Sequence, residues 1–327
     1  MRRREFIALV GGAAVGLPCA ARAQAPAKPV VGLLCGKTPE GDAAQLAPFW
    51  KGLNDSGFVE GNNIVAEYRW AQSDYSRFPA LAAELITRKV DVIAGIGTTP
   101  AALAAKAATN AIPIVFIIGT DPIATGLVGS LNRPGSNITG VTFLNRTLVA
   151  KQFEVLHDMV LSASCLGFLI NPRNPFAQAD TQDARAALEK LGLQMVLAKS
   201  SSERELATAL TTFDQQSVGG FVVAGDLFLN SQQARIIAHA AKHALPAVYP
   251  WREATEAGGL LSYGASRTEA YHQAGIYVGK ILKGFEPAEL PVQQVTKVEL
   301  VLNLKTAKVL GLTFSLPLLG RADEVIE

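Results

Sequence analysis

VDVIAGIGTTP (residues 90–100) and VGGFVVAGDLF (residues 218–228) carry the reading of the fold. Each begins as an apolar β run, then meets glycine and a polar residue where a helix can start. The surroundings repeat as well. In the first half a helix ends at Leu53-Asn54-Asp55-Ser56-Gly57, and a strand follows over Asn63 to Tyr68. A helix over Tyr75 to Lys89 shows Phe78, Leu81, Ala82, Leu85 and Ile86 on one face, the 3.6-residue spacing of a helix packed on a sheet. A third helix from Pro100 then leads through Ile112-Pro113 to the strand Ile114 to Ile118. In the second half a helix ends at Leu188-Glu189-Lys190-Leu191-Gly192, and Gln194 to Ala198 is a strand. Glu203 to Asp214 is a helix, and a further helix leads through Leu245-Pro246 to Ala247-Val248-Tyr249. Both halves place a proline directly before the fourth strand.

Strands alternating with helices predict parallel sheets covered on both faces. Two matching cassettes predict two Rossmann-like α/β lobes rather than a solenoid. LNRPGSNITGVT (131–142), rich in Gly, Pro, Asn and Ser, reads as the connection between them. GLLSYG (259–264) is a last strand of the second lobe, followed by a helix over Thr268 to Leu282 and a strand over Val295 to Leu302. The expected division is residues 30–142 plus 265–290 for one lobe and 143–264 plus 291–327 for the other. The chain then crosses between lobes about three times, which makes a multi-strand hinge rather than a loose linker.

The N-terminus reads as an export leader over residues 1–23. Arg2, Arg3 and Arg4 precede an apolar stretch from Phe6 to Leu17, and Ala21-Arg22-Ala23 is an A-x-A cleavage site. The stretch is shorter than the ~20 residues a bilayer span needs. Arg3-Arg4-Glu5-Phe6-Ile7 resembles the twin-arginine pattern, with an ordinary Sec leader as the alternative. Pro18 stands before Cys19 where a lipobox wants a small residue, so cleavage after Ala23 and a mature start at Gln24 are expected. The leader holds Arg2, Arg3, Arg4 and Arg22 against Glu5. Its removal turns a net +2 into 26 basic and 27 acidic residues, net −1. No basic stripe argues for nucleic acid. Cys35 and Cys165 fall on early strands of different lobes and read as two buried free thiols.

Open parallel sheets bind ligands at the carboxyl ends of their strands. This places candidates at Cys35, Gly36, Gly97, Thr98, Thr99, Gly119, Thr120 and Asp121 in the first lobe. The second lobe offers Asn171, Asn174, Asp226, Tyr249, Trp251 and Tyr263. Gly97-Thr98-Thr99-Pro100 is the most informative: glycine admits a close backbone approach, and the N–H groups of the following helix start can take a carboxylate. Asp121 and Asp226 suit an amino group, and the three aromatic residues suit an apolar or aromatic body. Asn171 and Asn174 can donate to a ligand or serve as turn residues.

Signals for catalysis are weak. There is no G-x-S-x-G elbow, H-E-x-x-H or P-loop. His239 and His243 are four apart on a helix, a spacing a metal could use. No carboxylate or cysteine stands nearby in sequence and Lys242 is adjacent, so they read as a solvated helix face, with no metal and no cofactor expected.

Five segments resemble the ABC transporter substrate-binding family that includes tryptophan- and tyrosine-binding members. They are GLNDSGFVEGNNIVAEYRWA (52–71), AAKAATNAIPIVFIIGTDPIATGLVGSLNRPGSNITGVT (104–142), EAGGLLSYG (256–264), LKGFEPAELPVQQVTKVELVLNLKTAKVLGLT (282–313) and RADEVIE (321–327). The resemblance implies the type I periplasmic binding protein fold and capture of a small solute by closure of two lobes. It further implies delivery to inner-membrane permease subunits by a periplasmic monomer without enzymatic activity. Gly97, Thr98, Thr99 and Asp121 would face Asn171, Asp226 and Tyr263 across the cleft. An exported α/β hydrolase, which would need a nucleophile–base pair, and a ligand sensor for a membrane receptor are the alternatives.

Overall fold

The computed structural model describes residues 28–143 and 148–327; the leader, with Cys19 and Ala23, lies outside them. The first half builds β1 (Val30–Cys35), α1 (Pro39–Asp55), β2 (Val65–Trp70), α2 (Phe78–Thr87), β3 (Val92–Ile96), α3 (Thr99–Ala108), β4 (Ile114–Ile118) and β5 (Ile138–Thr142). The second half builds α4 (Val149–Met159), β6 (Cys165–Ile170), α5 (Ala177–Lys190), β7 (Gln194–Lys199), α6 (Glu203–Gln215) and β8 (Phe221–Val223). It continues with α7 (Leu227–Ser231), α8 (Gln233–Lys242), β9 (Ala247–Tyr249), α9 (Arg252–Glu256) and β10 (Leu261–Ala265). The closing elements are α10 (Arg267–Leu282), β11 (Gln293–Gln294), β12 (Val298–Asn303), α11 (Leu304–Val309), α12 (Leu316–Leu319) and β13 (Glu324–Ile326).

The repeat in the sequence becomes a repeat in topology. The first sheet runs β2-β1-β3-β4-β5-β11, and the second runs β7-β6-β8-β9-β10-β12-β13. The pairs are parallel except β10 with β12. Both faces of the first sheet are covered, one by Phe49 of α1 with Tyr271 and Val278 of α10, the other by Phe78 and Leu85 of α2. The second core centres on Phe153, Phe168, Phe213 and Phe221.

Two departures from the sequence reading bear on the cleft. Val90 and Asp91 precede β3 instead of belonging to it. Lys89, at φ 54°, ends the preceding segment, and the Asp91 carboxylate accepts from the Val30 N–H at 2.6 Å. Gly97 therefore stands directly at the strand's end. The second departure corrects the lobe boundary at 291. Gln293 and Gln294 pair with β5 in the first sheet, so the chain joins the second sheet only at β12.

The crossing segments are stitched to one another. Val295 N–H donates to the Thr142 carbonyl at 2.8 Å, and Ser266 N–H donates to the Lys297 carbonyl at 2.9 Å. Helix α10 returns from the second sheet and lies against α1 so closely that only glycine fits. A Cβ on Gly275 would sit 2.0 Å from the Phe49 carbonyl oxygen, and one on Gly52 would sit 2.0 Å from that of His272. Gly275→Ala should therefore push two helices apart and destabilise the chain by about 1–3 kcal/mol. Gly129→Ala, with open space around it, should be neutral. Thermal unfolding compares them, and equal melting temperatures would refute the tight α1–α10 contact.

Candidate ligand-binding site

Because the strands of each sheet run parallel, their carboxyl ends and the following helix starts gather at one edge. Those two edges face each other across a cleft of about 730 Å³, part of it open to solvent. On the first-lobe side, Gly97 takes φ 73°, and a Cβ there would lie 2.3 Å from the Tyr271 hydroxyl. Thr98 is the extended N-cap of α3, yet its side chain makes no capping bond. Its hydroxyl and the first amides of α3 are left for the cleft, at the positive end of the helix dipole. Thr99 and Thr120 share a hydroxyl–hydroxyl bond of 2.8 Å.

Two cations stand in the same wall. Lys37 is buried, and its Nζ donates to Gln45 Oε1 at 2.9 Å and to the Gly41 carbonyl at 3.2 Å, with Asp42 Oδ1 at 3.5 Å. Burial, then the neighbouring Arg267 charge, pushes its ammonium down to about 8. Arg267 lies over Trp251, with Cζ 4.3 Å from the ring centroid, and its Nη2 donates to Glu253 Oε1 at 2.6 Å. Its Nε is buried and finds no hydrogen-bond partner among the described residues. Phe143 meets Trp251 edge-on at 5.7 Å.

The second-lobe side is organised by Asp226. This carboxylate caps α7 through the Leu229 N–H at 3.0 Å. It accepts from Asn171 Nδ2 at 3.1 and 3.2 Å, from Asn174 Nδ2 at 3.2 Å, and from the Tyr75 hydroxyl at 2.8 Å. Burial raises its pKa, while the Leu229 N–H, the Tyr75 hydroxyl and the Asn171 amide oppose the shift. Tyr75 belongs to the first lobe, in a single turn capped by Asp74 after β2. Burial and the Asp226 charge push its phenol well up, so it keeps the proton it donates. Leu227 reaches the other way and packs in the core of the first lobe. The lobes are thus in contact, and the structure is a closed form.

Gly97, Thr98, Thr99, Gly119, Thr120, Asn174, Asp226 and Trp251 all line this cleft. Six other expected residues do not, each for its own reason. Cys35 is the last residue of β1, and its side chain is fully buried in the first core. Gly36 lies under Leu227, where a Cβ would come within 2.8 Å of that side chain. Asp121 caps its own turn, accepting from Ile123 N–H at 2.8 Å and Ala124 N–H at 3.2 Å. Asn171 is buried behind Asp226 and holds it. Tyr249 is buried in the second core, and Tyr263 stands two residues before the end of β10, packed on that core. Phe176, at the end of the candidate stretch from Asn171, lines the cleft too, and Lys37, Tyr75, Phe143, Val149, Asp180, Asn230 and Arg267 line it without a signal in the sequence.

The histidine pair needs a correction too. The fold brings Asp214, at the end of α6, against both His239 and His243. Both thiols are free, Cys35 buried and Cys165 half-buried. Among the described residues no helix is long and apolar enough to cross a membrane.

Comparison with known proteins agrees with this architecture. The tyrosine-binding protein of Clostridioides difficile is 26% identical over 265 residues, which is 81% of this chain and 75% of that protein. A conserved domain protein from Vibrio cholerae has a crystal structure that superposes with a TM-score of 0.82 at 26% identity, covering 91% of this chain and 99% of that one. The ABC domain from Streptococcus pneumonia in complex with L-Trp superposes with a TM-score of 0.79 at 25% identity, covering 91% and 100%. A family model described as ABC transporter substrate binding protein matches residues 40–326, and the chain belongs to that family.

Proposed function

We propose that this substrate-binding protein captures an amino acid with an aromatic or apolar side chain and presents it, unaltered, to the permease subunits of an ABC importer. The observation that carries the reading is the division of the cleft into three chemistries. The N-terminus of α3, Arg267 and Lys37 make a pole for a carboxylate. Asp226 and Asp180 offer negative charge from the other lobe, which suits an ammonium. Tyr75, Phe143, Phe176 and Trp251 supply aromatic faces between them. The tyrosine and L-Trp named with the two relatives above have these three parts. Closure follows from the same arrangement: a ligand touched from both sides stabilises the closed state over the open one.

Export belongs to this reading. The leader over residues 1–23 would deliver a monomer to the periplasm, unlipidated and starting at Gln24. The intact mass of the exported chain tests it, and an acylated Cys19 at the N-terminus would refute it.

Calorimetric titration with L-tryptophan and L-tyrosine should show tight binding at one site per chain, with no product formed. Arg267→Gln should weaken it by roughly tenfold or more, as expected when a charged hydrogen bond is lost. The pH dependence has a defined sign. A bound carboxylate favours the Lys37 ammonium and raises its pKa above the value of about 8 in the free protein. The complex then holds more protons than the free protein, so affinity falls as pH rises through this range, by at most about tenfold per unit. Lys37→Met should remove that slope relative to wild type, and an unchanged slope would exclude Lys37 from the carboxylate pole. Binding of neither amino acid would overturn the ligand class.

Tyr75→Phe separates closure from contact. It keeps the ring and removes the hydroxyl that donates to Asp226, a charge-assisted bond of about 1.5–3 kcal/mol. That loss falls on the closed state, so L-tryptophan affinity should drop by roughly tenfold. Wild-type affinity in this variant would show that the bond does not contribute to closure.

A further inference from the structure

We propose that Asp214, His239 and His243 form a binding site for a divalent transition-metal ion of the zinc(II) type, clamping the ends of α6 and α8 at the edge of the second lobe opposite the cleft. Asp214 Oδ2 stands 3.4 Å from His239 Nε2 and 3.3 Å from His243 Nδ1. Ligand atoms 2.0–2.2 Å from a tetrahedral ion lie about 3.3–3.5 Å from one another, so both spacings from Asp214 suit one shared ion, and the two imidazole nitrogens lie within 4.8 Å of each other. The donor set, two imidazoles and a carboxylate, suits zinc(II) and its neighbours and not calcium or magnesium, which prefer oxygen. The imidazole rings stack 16° from parallel with centroids 4.2 Å apart, which brings both nitrogens to the same carboxylate, and a turn of one ring aims both lone pairs at one ion.

A second observation points to a missing partner. His239 Nε2 is buried and makes no hydrogen bond among the described residues. Its side chain is 15% exposed, that of Asp214 24% and that of His243 34%, so an ion can enter and water can complete its coordination. The backbone favours a cation as well. Asp214 lies in the last turn of α6, His239 in the last turn of α8, and His243 at the C-cap of α8. The negative ends of two helix dipoles therefore converge on the site. Lys242 is the opposing charge, on the same helix.

The test uses the untagged chain, stripped with a chelator and titrated with zinc chloride by calorimetry. Cobalt(II) serves as the spectroscopic probe. One ion should bind per chain with micromolar or tighter affinity, and cobalt(II) should give the intense visible bands of a four-coordinate site. Asp214→Asn and His243→Gln should each weaken binding by at least about tenfold. His272→Gln, which alters a histidine paired with Asp55 elsewhere, should not. Solute affinity should be unchanged in all three. No saturable binding by wild type, or wild-type affinity in both site variants, would overturn the site. Should a variant fail to fold, wild type still decides: zinc should raise its melting temperature, and no rise together with octahedral cobalt(II) bands would refute the clamp.

Discussion

A carboxylate buried as deeply as that of Asp226 must be surrounded by donors, because an uncompensated buried charge costs several kcal/mol. Its own lobe supplies the Leu229 amide and the amides of Asn171 and Asn174, and the other lobe supplies the Tyr75 hydroxyl. The last donor exists only when the lobes meet. If they separate, water can take its place, since the same movement uncovers the carboxylate. The two states therefore differ by the exchange of a protein donor for water and by the burial of Leu227, a small difference that a ligand can tip. Asp226 is at once helix cap, inter-lobe latch and part of the cleft wall. A single residue in the sequence announces only the first of these.

The covalent frame limits how that movement can occur. Three segments cross between the sheets, and backbone hydrogen bonds tie Thr142 to Val295 and Ser266 to Lys297. Twisting about such a bundle rotates the lobes as bodies more readily than it shears them. The return helix α10 is held to α1 at carbonyl distance through Gly52 and Gly275. Arg267, at the start of α10, is therefore carried by the first lobe's helix pair while its guanidinium packs on Trp251, beyond β9 of the second sheet. Its position depends on both lobes.

This explains what the sequence could show. The lobes were legible because the apolar runs at 92–96 and 221–223 are short, buried and placed alike within matching cassettes. Strand β11 was not, since Gln293 and Gln294 are exposed and polar and pair only through their backbones. In the cleft, Gly97, Thr98, Thr99 and Asp226 were legible because they directly follow a strand. Lys37 is hidden in the sequence because nothing in TPEGD (38–42) marks it as facing a cleft. Thr38 caps α1, and the Asp42 carboxylate accepts from the Lys37 N–H at 3.1 Å, which turns Lys37 in beside the helix start. Tyr75 lies beyond a strand read as ending at Tyr68, and its partner sits in the other lobe. Tyr249 and Tyr263 have the right chemistry on the wrong face: side-chain direction in a strand alternates, and both rings turn toward the second core. Asp214 was missed beside His239 for a related reason: only packing of α6 near α8 joins them.

One geometric constraint relates the cleft to the opposite edge of the second lobe. In a right-handed β–α–β unit each helix runs antiparallel to its strands, so helix N-termini gather with the strand carboxyl ends. The helix C-termini collect at the other edge. The cleft edge thereby inherits the positive dipole ends and unpaired N–H groups, which is where α3 meets Gly97 and where a carboxylate is best received. The far edge inherits the negative ends and unpaired carbonyls, and α6 and α8 terminate there beside Asp214, His239 and His243. A fold of this class is electrically polarised before any side chain is chosen. The side chains at each edge of this chain follow that polarity, with threonines and an arginine on the anion side and imidazoles with a carboxylate on the cation side. An ion held at the far edge would tie α6 to α8 without touching the crossing strands, so it would stiffen one lobe and leave the movement between the two lobes free.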